Sequence, residues 1–358
     1  MTVINARFKL NYDDFRLDVD LTLPSTGVSV LFGHSGSGKT TLLRCIAGLE
    51  QAPLGYLEIN EHVWQDSKRQ IFLPTYKRPL GYVFQEANLF SHLTVLDNLH
   101  FGLKRIKNNL GLIKLNQTIE LLGIGHLLAR MPNNLSGGER QRIAIARALA
   151  LNPEILLMDE PLASLDLKRK QEILPYLSRL HQQLDIPVIY VTHSQQEVAQ
   201  LADTLVILED GHILAMGPLA ETQSRLDLPL AQDREAATVW QVKIIEHESD
   251  YHLTRVEFEG GSLSLAAIEA EIGAVLRVQI YARDVSIVLI KPSATSILNV
   301  LPAVITELIE GRDSQTVVQL KVGQQLLLAH ITRKSLLLLG LKIGMLVFVQ
   351  IKGTSILN

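Results

Sequence analysis

Gly33-His34-Ser35-Gly36-Ser37-Gly38-Lys39-Thr40 completes the spacing G-x-x-x-x-G-K-[ST]. It lies between an apolar run, Val28 to Phe32, and a helix-compatible run, Thr40 to Leu49. A strand–loop–helix of this kind lets successive backbone N–H groups close around phosphate oxygens, and its glycines adopt conformations barred to other residues. Lys39 then faces the β- and γ-phosphates, Thr40 offers a hydroxyl to Mg²⁺, and the helix dipole favours the anion. With Thr41 in the first helical turn, residues 33–41 form an expected nucleoside-triphosphate site. Downstream, Ile155-Leu-Leu-Met-Asp159-Glu160 is an apolar run that ends in two carboxylates, the pattern of a buried parallel strand with ligands at its carboxyl end. Asp159 is expected to hold the metal and Glu160 to orient the attacking water.

Leu135-Ser136-Gly137-Gly138-Glu139-Arg140-Gln141-Arg142 precedes another helix-favouring run and makes a second helix start suited to anions. Taken alone, Ser-Gly-Gly reads as a helix cap. Together with the two motifs above it resembles the signature of the ATP-binding-cassette (ABC) transporter ATPases, with Glu139 in place of the usual Gln. The resemblance covers roughly residues 1–235. It implies that Gln85 contacts the metal and the attacking water, that Ser164-Leu165-Asp166 crosses a dimer interface, and that His193 contacts the γ-phosphate. It further implies a head-to-tail homodimer in which Ser136, Gly137, Gly138 and Glu139 complete the partner's ATP site. Catalysis would then fall to Glu160, His193 and Gln85, and the metal to Thr40, Gln85 and Asp159. Tyr12 and Phe15 both remain open as the aromatic that stacks on adenine.

Those residues need a frame, and length and composition bound it. The chain has 358 residues, 47% hydrophobic and 20% charged, enough for two or three domains. A formal charge of −3 gives no general attraction for nucleic acid or anionic lipid. Cys45, the only cysteine, cannot form an internal disulfide and fits a reducing cytoplasm. No signal peptide is expected at Met1 to Leu10, and the most apolar stretch, Ser335 to Ile351, is broken by Gly340, Lys342 and Gly344. A transporter ATPase of this composition would borrow its pore from two integral-membrane permease subunits and sit at the cytoplasmic face of the inner membrane. Residues Glu86 to Asn134 read as the small helical subdomain that docks such subunits in relatives.

After Asp233 the pattern turns to short alternating strands and repeats. Val278-Gln279-Ile280 with Asp284-Val285-Ser286-Ile287 matches Val349-Gln350-Ile351 with Thr354-Ser355-Ile356. Two small barrels of the oligonucleotide/oligosaccharide-binding type are expected. Exposed rings for base stacking are scarce, which argues against nucleic acid as a partner. The segments around Ser296, His330 and Lys352 resemble the Mop domain, characteristic among these ATPases of the molybdate importers. The expected organisation is therefore an α/β P-loop NTPase with a helical subdomain over 1–235, a first OB-like β segment over 236–292 and a Mop domain over 293–358. Ser296, Lys352 and Ser355 are the expected donors to a tetrahedral dianion. The implied function is ATP hydrolysis coupled to molybdate import, tungstate included, with a periplasmic molybdate-binding protein as indirect partner. The alternatives are an importer of sulfate, sugar, polyamine or iron, or a molybdate-sensing protein centred on the tail. A soluble ABC ATPase of DNA repair or translation is expected to carry a coiled-coil insertion or a second cassette, and neither is seen.

Overall fold

A computed structural model describes residues 3–103, 110–310 and 315–357. It divides into two compact units, Met1–Met216 and Gly217–Asn358. The sequence boundary at 235 lies later than this division. Residues 217–235 go with the second unit because Leu226 and Ala231 pack in a small cluster with Ala236, Ala282, Val317 and Leu328.

The first unit is two sheets with a helix between them. Val28–Phe32, Ile155–Asp159 and Val188–Thr192 are strands of five residues, almost wholly buried and rich in β-branched and aliphatic side chains. Such runs suit a parallel sheet covered on both faces. They pair in parallel in the middle of a six-stranded sheet, with Leu80–Val83 on one side and Thr204–Glu209 on the other. Because the strands are parallel, Phe32, Val83, Asp159 and Thr192 all end at the same edge. Val3–Asn11 and Arg16–Pro24 alternate buried and exposed residues, and form one side of an antiparallel five-stranded sheet. The helix Lys39–Ala47 fills the space between the sheets: Leu42, Leu43, Cys45 and Ile46 join Phe8, Leu17 and Leu21 from one and Leu31, Leu157 and Ile189 from the other. The phosphate loop is thereby clamped by a core on both faces of its helix. Val95–Leu103 and Leu110–Leu121 supply the expected helices between Gln85 and Ser136.

In the second unit the expected repeat is present, with one difference. Ala237–Glu248, Leu253–Phe258, Gly261–Ala266 and Val275–Tyr281 form one antiparallel sheet, and Asn299–Glu310, Gln315–Val322, Gln325–Thr332 and Leu346–Ile351 form the other. Both long first strands carry a bulge at the same relative position, Ile244/Glu246 and Ile305/Glu307. The short fifth strands are exchanged: Val285–Val288 pairs with Leu346–Ile351, and Ser355–Leu357 with Val275–Tyr281. A single hydrophobic cluster runs through both sheets. The halves are therefore one folding unit. The extra segment of the second copy is a capped helix, Arg333–Leu339, which starts at Thr332 and ends at Gly340 with φ 58°.

Candidate functional site

Around the phosphate loop the chain lies close to the helix that follows. Gly38 holds φ 101°, and a Cβ there would sit 2.7 Å from Phe15 Cζ, so no side chain fits between loop and ring. No side chain caps the helix at Gly38, which leaves its first N–H groups for a ligand. Lys39 is 4% exposed. Its Nζ donates to Gly33 O at 2.8 Å, His34 O at 2.7 Å and Ser37 Oγ at 3.4 Å. Burial holds the ammonium below its usual range, and Glu160 and Asp159 oppose that shift. A phosphate anion offers this cation a far better partner than loop carbonyls do.

Asp159 ends its strand beside this helix. Its Oδ1 accepts from Thr40 Oγ1 at 2.8 Å and its Oδ2 from the Tyr82 hydroxyl at 3.1 Å. Burial, reinforced by Asp159, pushes the Tyr82 phenol well up, so it remains a donor. A carboxylate and a hydroxyl in contact beside a buried lysine make an all-oxygen donor set, which suits a small hard cation. The residues present fit Mg²⁺. Glu160 follows with φ 44°, a left-handed backbone that costs a non-glycine residue about 1–3 kcal/mol. Its N–H donates to Val191 O at 3.1 Å, and its Oε2 lies 3.3 Å from His193 Nδ1. His193 is half exposed, at 52% for the side chain, so the pair faces outward from the sheet edge. Gln85 lies exposed two residues beyond Leu80–Val83, the strand paired with Ile155–Asp159. His34, Ser35 and Gly36 are exposed at the loop's tip, Ser37 is buried, and Thr40 and Thr41 are half-buried.

The helix-cap reading of the Ser136 motif holds. Ser136 Oγ accepts from Glu139 N at 3.2 Å and Ser136 N donates to Glu139 Oε2 at 2.6 Å, a complete capping box. The Ser136 N–H holds the Glu139 carboxyl below its ordinary range. The glycines allow close packing: a Cβ at Gly137 would lie 2.9 Å from Leu165 Cδ2, and one at Gly138 3.1 Å from Ile173 Cδ1. The Ser164–Asp166 loop thus rests on the start of the signature helix within one chain. Asp166 itself caps Leu167–Gln183 through Arg169 N at 2.9 Å.

Between the aromatic candidates, Phe15 packs on the core beside Gly38, while Tyr12 is 47% exposed with its ring stacked 6.4 Å from that of Phe15. In the tail, the pairing Asn299↔Ile351 sets Ser296 and Lys352, both exposed, just beyond one sheet end. Ser355 pairs with Gln279, and its side chain lies outside the described residues.

Sequence reading missed three contributors. Tyr82 fixes Asp159, Arg78 caps the phosphate-loop helix from within the core, and Glu197 is buried one turn past His193. Ser194-Gln-Gln-Glu197 has capping-box spacing, which signals a helix start and nothing of the carboxylate's other partners.

Residues 17–163 match the ABC transporter family, and residues 295–357 the TOBE domain. The chain is 55% identical to the molybdenum import ATP-binding protein ModC of Aromatoleum aromaticum, over 99% of this chain and 94% of that one. Among solved structures it is similar to CbiO1 of Clostridium perfringens, part of the ABC transporter complex CbiONQ, with TM-score 0.54 and 26% identity over 62% of this chain and 90% of that one. It is similar too to the ATP-binding cassette MJ0796 in a dimeric post-hydrolysis state bound to ADP and Pi, with TM-score 0.50 and 27% identity over 60% and 98%. Among the described residues, no helix is long and apolar enough to cross a membrane. On this full-length identity and these motifs, the chain belongs to the ABC transporter ATP-binding proteins and, within them, to the molybdenum import group.

Proposed function

We propose that the chain is the energy-coupling subunit of a molybdate importer, hydrolysing ATP as a homodimer against two permease subunits at the cytoplasmic face of the membrane. The observation that carries the hydrolytic part is the convergence of Lys39, Thr40, Asp159, Glu160 and His193 at one sheet edge. The full-length likeness to molybdenum importers carries the substrate.

ATP would bind with its phosphates in the loop 33–41. Lys39 exchanges its carbonyl partners for β- and γ-phosphate oxygens, and the free N–H groups of the helix start close on the same anion. Phe15, fixed beside Gly38, takes the adenine face, with Tyr12 behind it. Thr40 and Asp159, with Gln85 from the adjacent strand end, would hold Mg²⁺, which would neutralise phosphate charge. Glu160 accepts a hydrogen bond from water and aims it at the γ-phosphorus. As the water oxygen bonds to phosphorus, the bond to the β–γ bridging oxygen breaks and the water's proton leaves toward Glu160 or the phosphate. His193, beside Glu160, donates to a γ-phosphate oxygen and fixes the carboxylate. Ser136 to Glu139 would close the partner's site from across the dimer, where the capped helix start presents N–H groups.

The tail would carry the specificity signal. Ser296 and Lys352, beyond the end of one sheet, and Ser355, in the short strand exchanged into the other, would donate to molybdate or tungstate, so that anion occupancy favours one arrangement of the tails.

Nucleotide binding and hydrolysis by purified variants test this reading. Lys39→Ala should weaken ATP binding, whereas Glu160→Gln should bind ATP normally, lose hydrolysis by orders of magnitude and accumulate as a dimer. Full hydrolysis by Glu160→Gln, or an ATP-loaded variant that stays monomeric, would contradict it.

A further inference from the structure

Glu197 has no part in the chemistry above, yet it is 2% exposed and its carboxylate gathers three donors. Lys170 Nζ donates to Oε1 at 2.9 Å, and the Tyr190 hydroxyl and Thr192 Oγ1 donate to Oε2 at 2.9 and 2.8 Å. Tyr190 is itself buried, and its burial, with Glu197 beside it, pushes the phenol up, which keeps it a donor. Thr192 Oγ1 also accepts from Ser194 N at 3.0 Å, and Ser194 Oγ caps the helix at Glu197 N at 3.4 Å. The residues on both sides of His193 are therefore bonded into one network centred on Glu197.

The cation of that network comes from elsewhere. Lys170 lies in the first turn of Leu167–Gln183, and its backbone N–H donates to Asp166 O at 3.0 Å. Asp166 ends the loop whose Leu165 rests against Gly137. A buried ion pair adds little net stability, because desolvation offsets the attraction, but it fixes geometry strongly. We propose that Lys170 and Glu197 are a positioning pair that ties the Ser164–Asp166 loop to His193. Displacement of that loop shifts Lys170, the carboxylate follows, and Thr192 and Ser194 carry His193 toward or away from Glu160. The pair thus lets the loop's position set whether His193 is aligned. This inference rests on the catalytic reading of Glu160 and His193.

Single-turnover ATP hydrolysis by the full-length protein tests it through a double-mutant cycle of Lys170→Met and His193→Ala. Lys170→Met should slow hydrolysis about tenfold with ATP affinity within about twofold of the parent, and Lys170→Arg should restore most of the rate. The combined variant should fall no more than about twofold below His193→Ala alone, because the second lesion removes what the first misplaces. A purely structural pair would give independent, multiplying losses, and that result overturns the proposal. Should Lys170→Met fail to hold ATP, Glu197→Gln keeps the shape and is expected to show the same non-additivity. Parental rate in both of these variants beside an inactive His193→Ala overturns the positioning role alone. Parental rate in His193→Ala overturns the site reading and the proposal with it.

Discussion

Replacing Arg78 by methionine should destabilise the nucleotide-binding unit by about 3 kcal/mol. Arg78 is 5% exposed, and its guanidinium reaches the carboxyl end of the phosphate-loop helix. Nη1 donates to Cys45 O at 3.1 Å and Ile46 O at 2.6 Å, and Nε donates to Leu73 O at 2.7 Å. Methionine would strand Ile46 O and Leu73 O at about 2 kcal/mol each, and would take one charge-assisted bond, also about 2, from Cys45 O, which keeps the Gly48 N–H at 3.1 Å; the loss is roughly 6 in all. Against this, burial holds the guanidinium at about 10 from an ordinary 12.5. That depression is a cost of about 3 kcal/mol which an uncharged side chain avoids. The difference leaves a net loss of about 3 kcal/mol, several times a typical surface change. The chain's two tryptophans make the assay specific: Trp64 lies in the first unit, 5.7 Å from the guanidinium, and Trp240 in the second. Urea unfolding read by Trp64 fluorescence in a Trp240→Phe background isolates the unit concerned. Arg78→Lys, which keeps charge but cannot reach all three diverging carbonyls, should fall between parent and methionine. A loss below about 1 kcal/mol for methionine would mean that the carbonyls find other partners and that the guanidinium does not hold the helix end.

Glu139→Gln should remove an acid-side dependence of stability. The folded carboxyl is held below its unfolded value, chiefly by the Ser136 N–H, so its contribution is complete above the unfolded value and lost as pH falls through the folded one. Stability curves of parent and variant should therefore run parallel at neutral pH and converge in acid; curves that stay parallel throughout exclude the effect. Phe15→Ala should weaken ATP binding by about tenfold, the scale of one lost aromatic stack, and Tyr12→Ala by less. Fluorescent-nucleotide titration separates the two, and equal effects would mean that Phe15's place beside Gly38 is not what selects the stacking ring.

Much of the site was legible because phosphate chemistry imposes local spacing. Gly33 to Thr40 must be contiguous to close on an anion, and Asp159-Glu160 must end a buried strand to reach it. The missed residues act over long separations. Arg78 meets Cys45 and Ile46, and Lys170 meets Glu197, by way of the tertiary fold, and no local pattern announces such pairs. Capping-box spacing at Ser136 and Ser194 was readable, but spacing cannot tell a cap from a cap that also fixes a neighbour. In the tail the repeat was visible in Val278-Gln279-Ile280 and Val349-Gln350-Ile351. A repeat shows which strands exist and is silent on whose sheet each one joins, so the exchange of Val285–Val288 and Ser355–Leu357 emerged only from the pairing. The division at Met216, earlier than the expected 235, escaped the sequence for a related reason: Leu226 in a turn and Ala231 in the short helix Pro229–Gln232 have partners, Val317 and Leu328, that lie far along the chain.

Molybdate uptake into vesicles carrying this chain with its own permease subunits, and the binding protein on the opposite side, is the decisive measurement of ATP-driven import. Molybdate should accumulate only with ATP on the chain's side, ahead of sulfate, and not at all with Glu160→Gln. Uptake that persists in Glu160→Gln, or an importer that moves sulfate or a sugar in preference to molybdate, would contradict it.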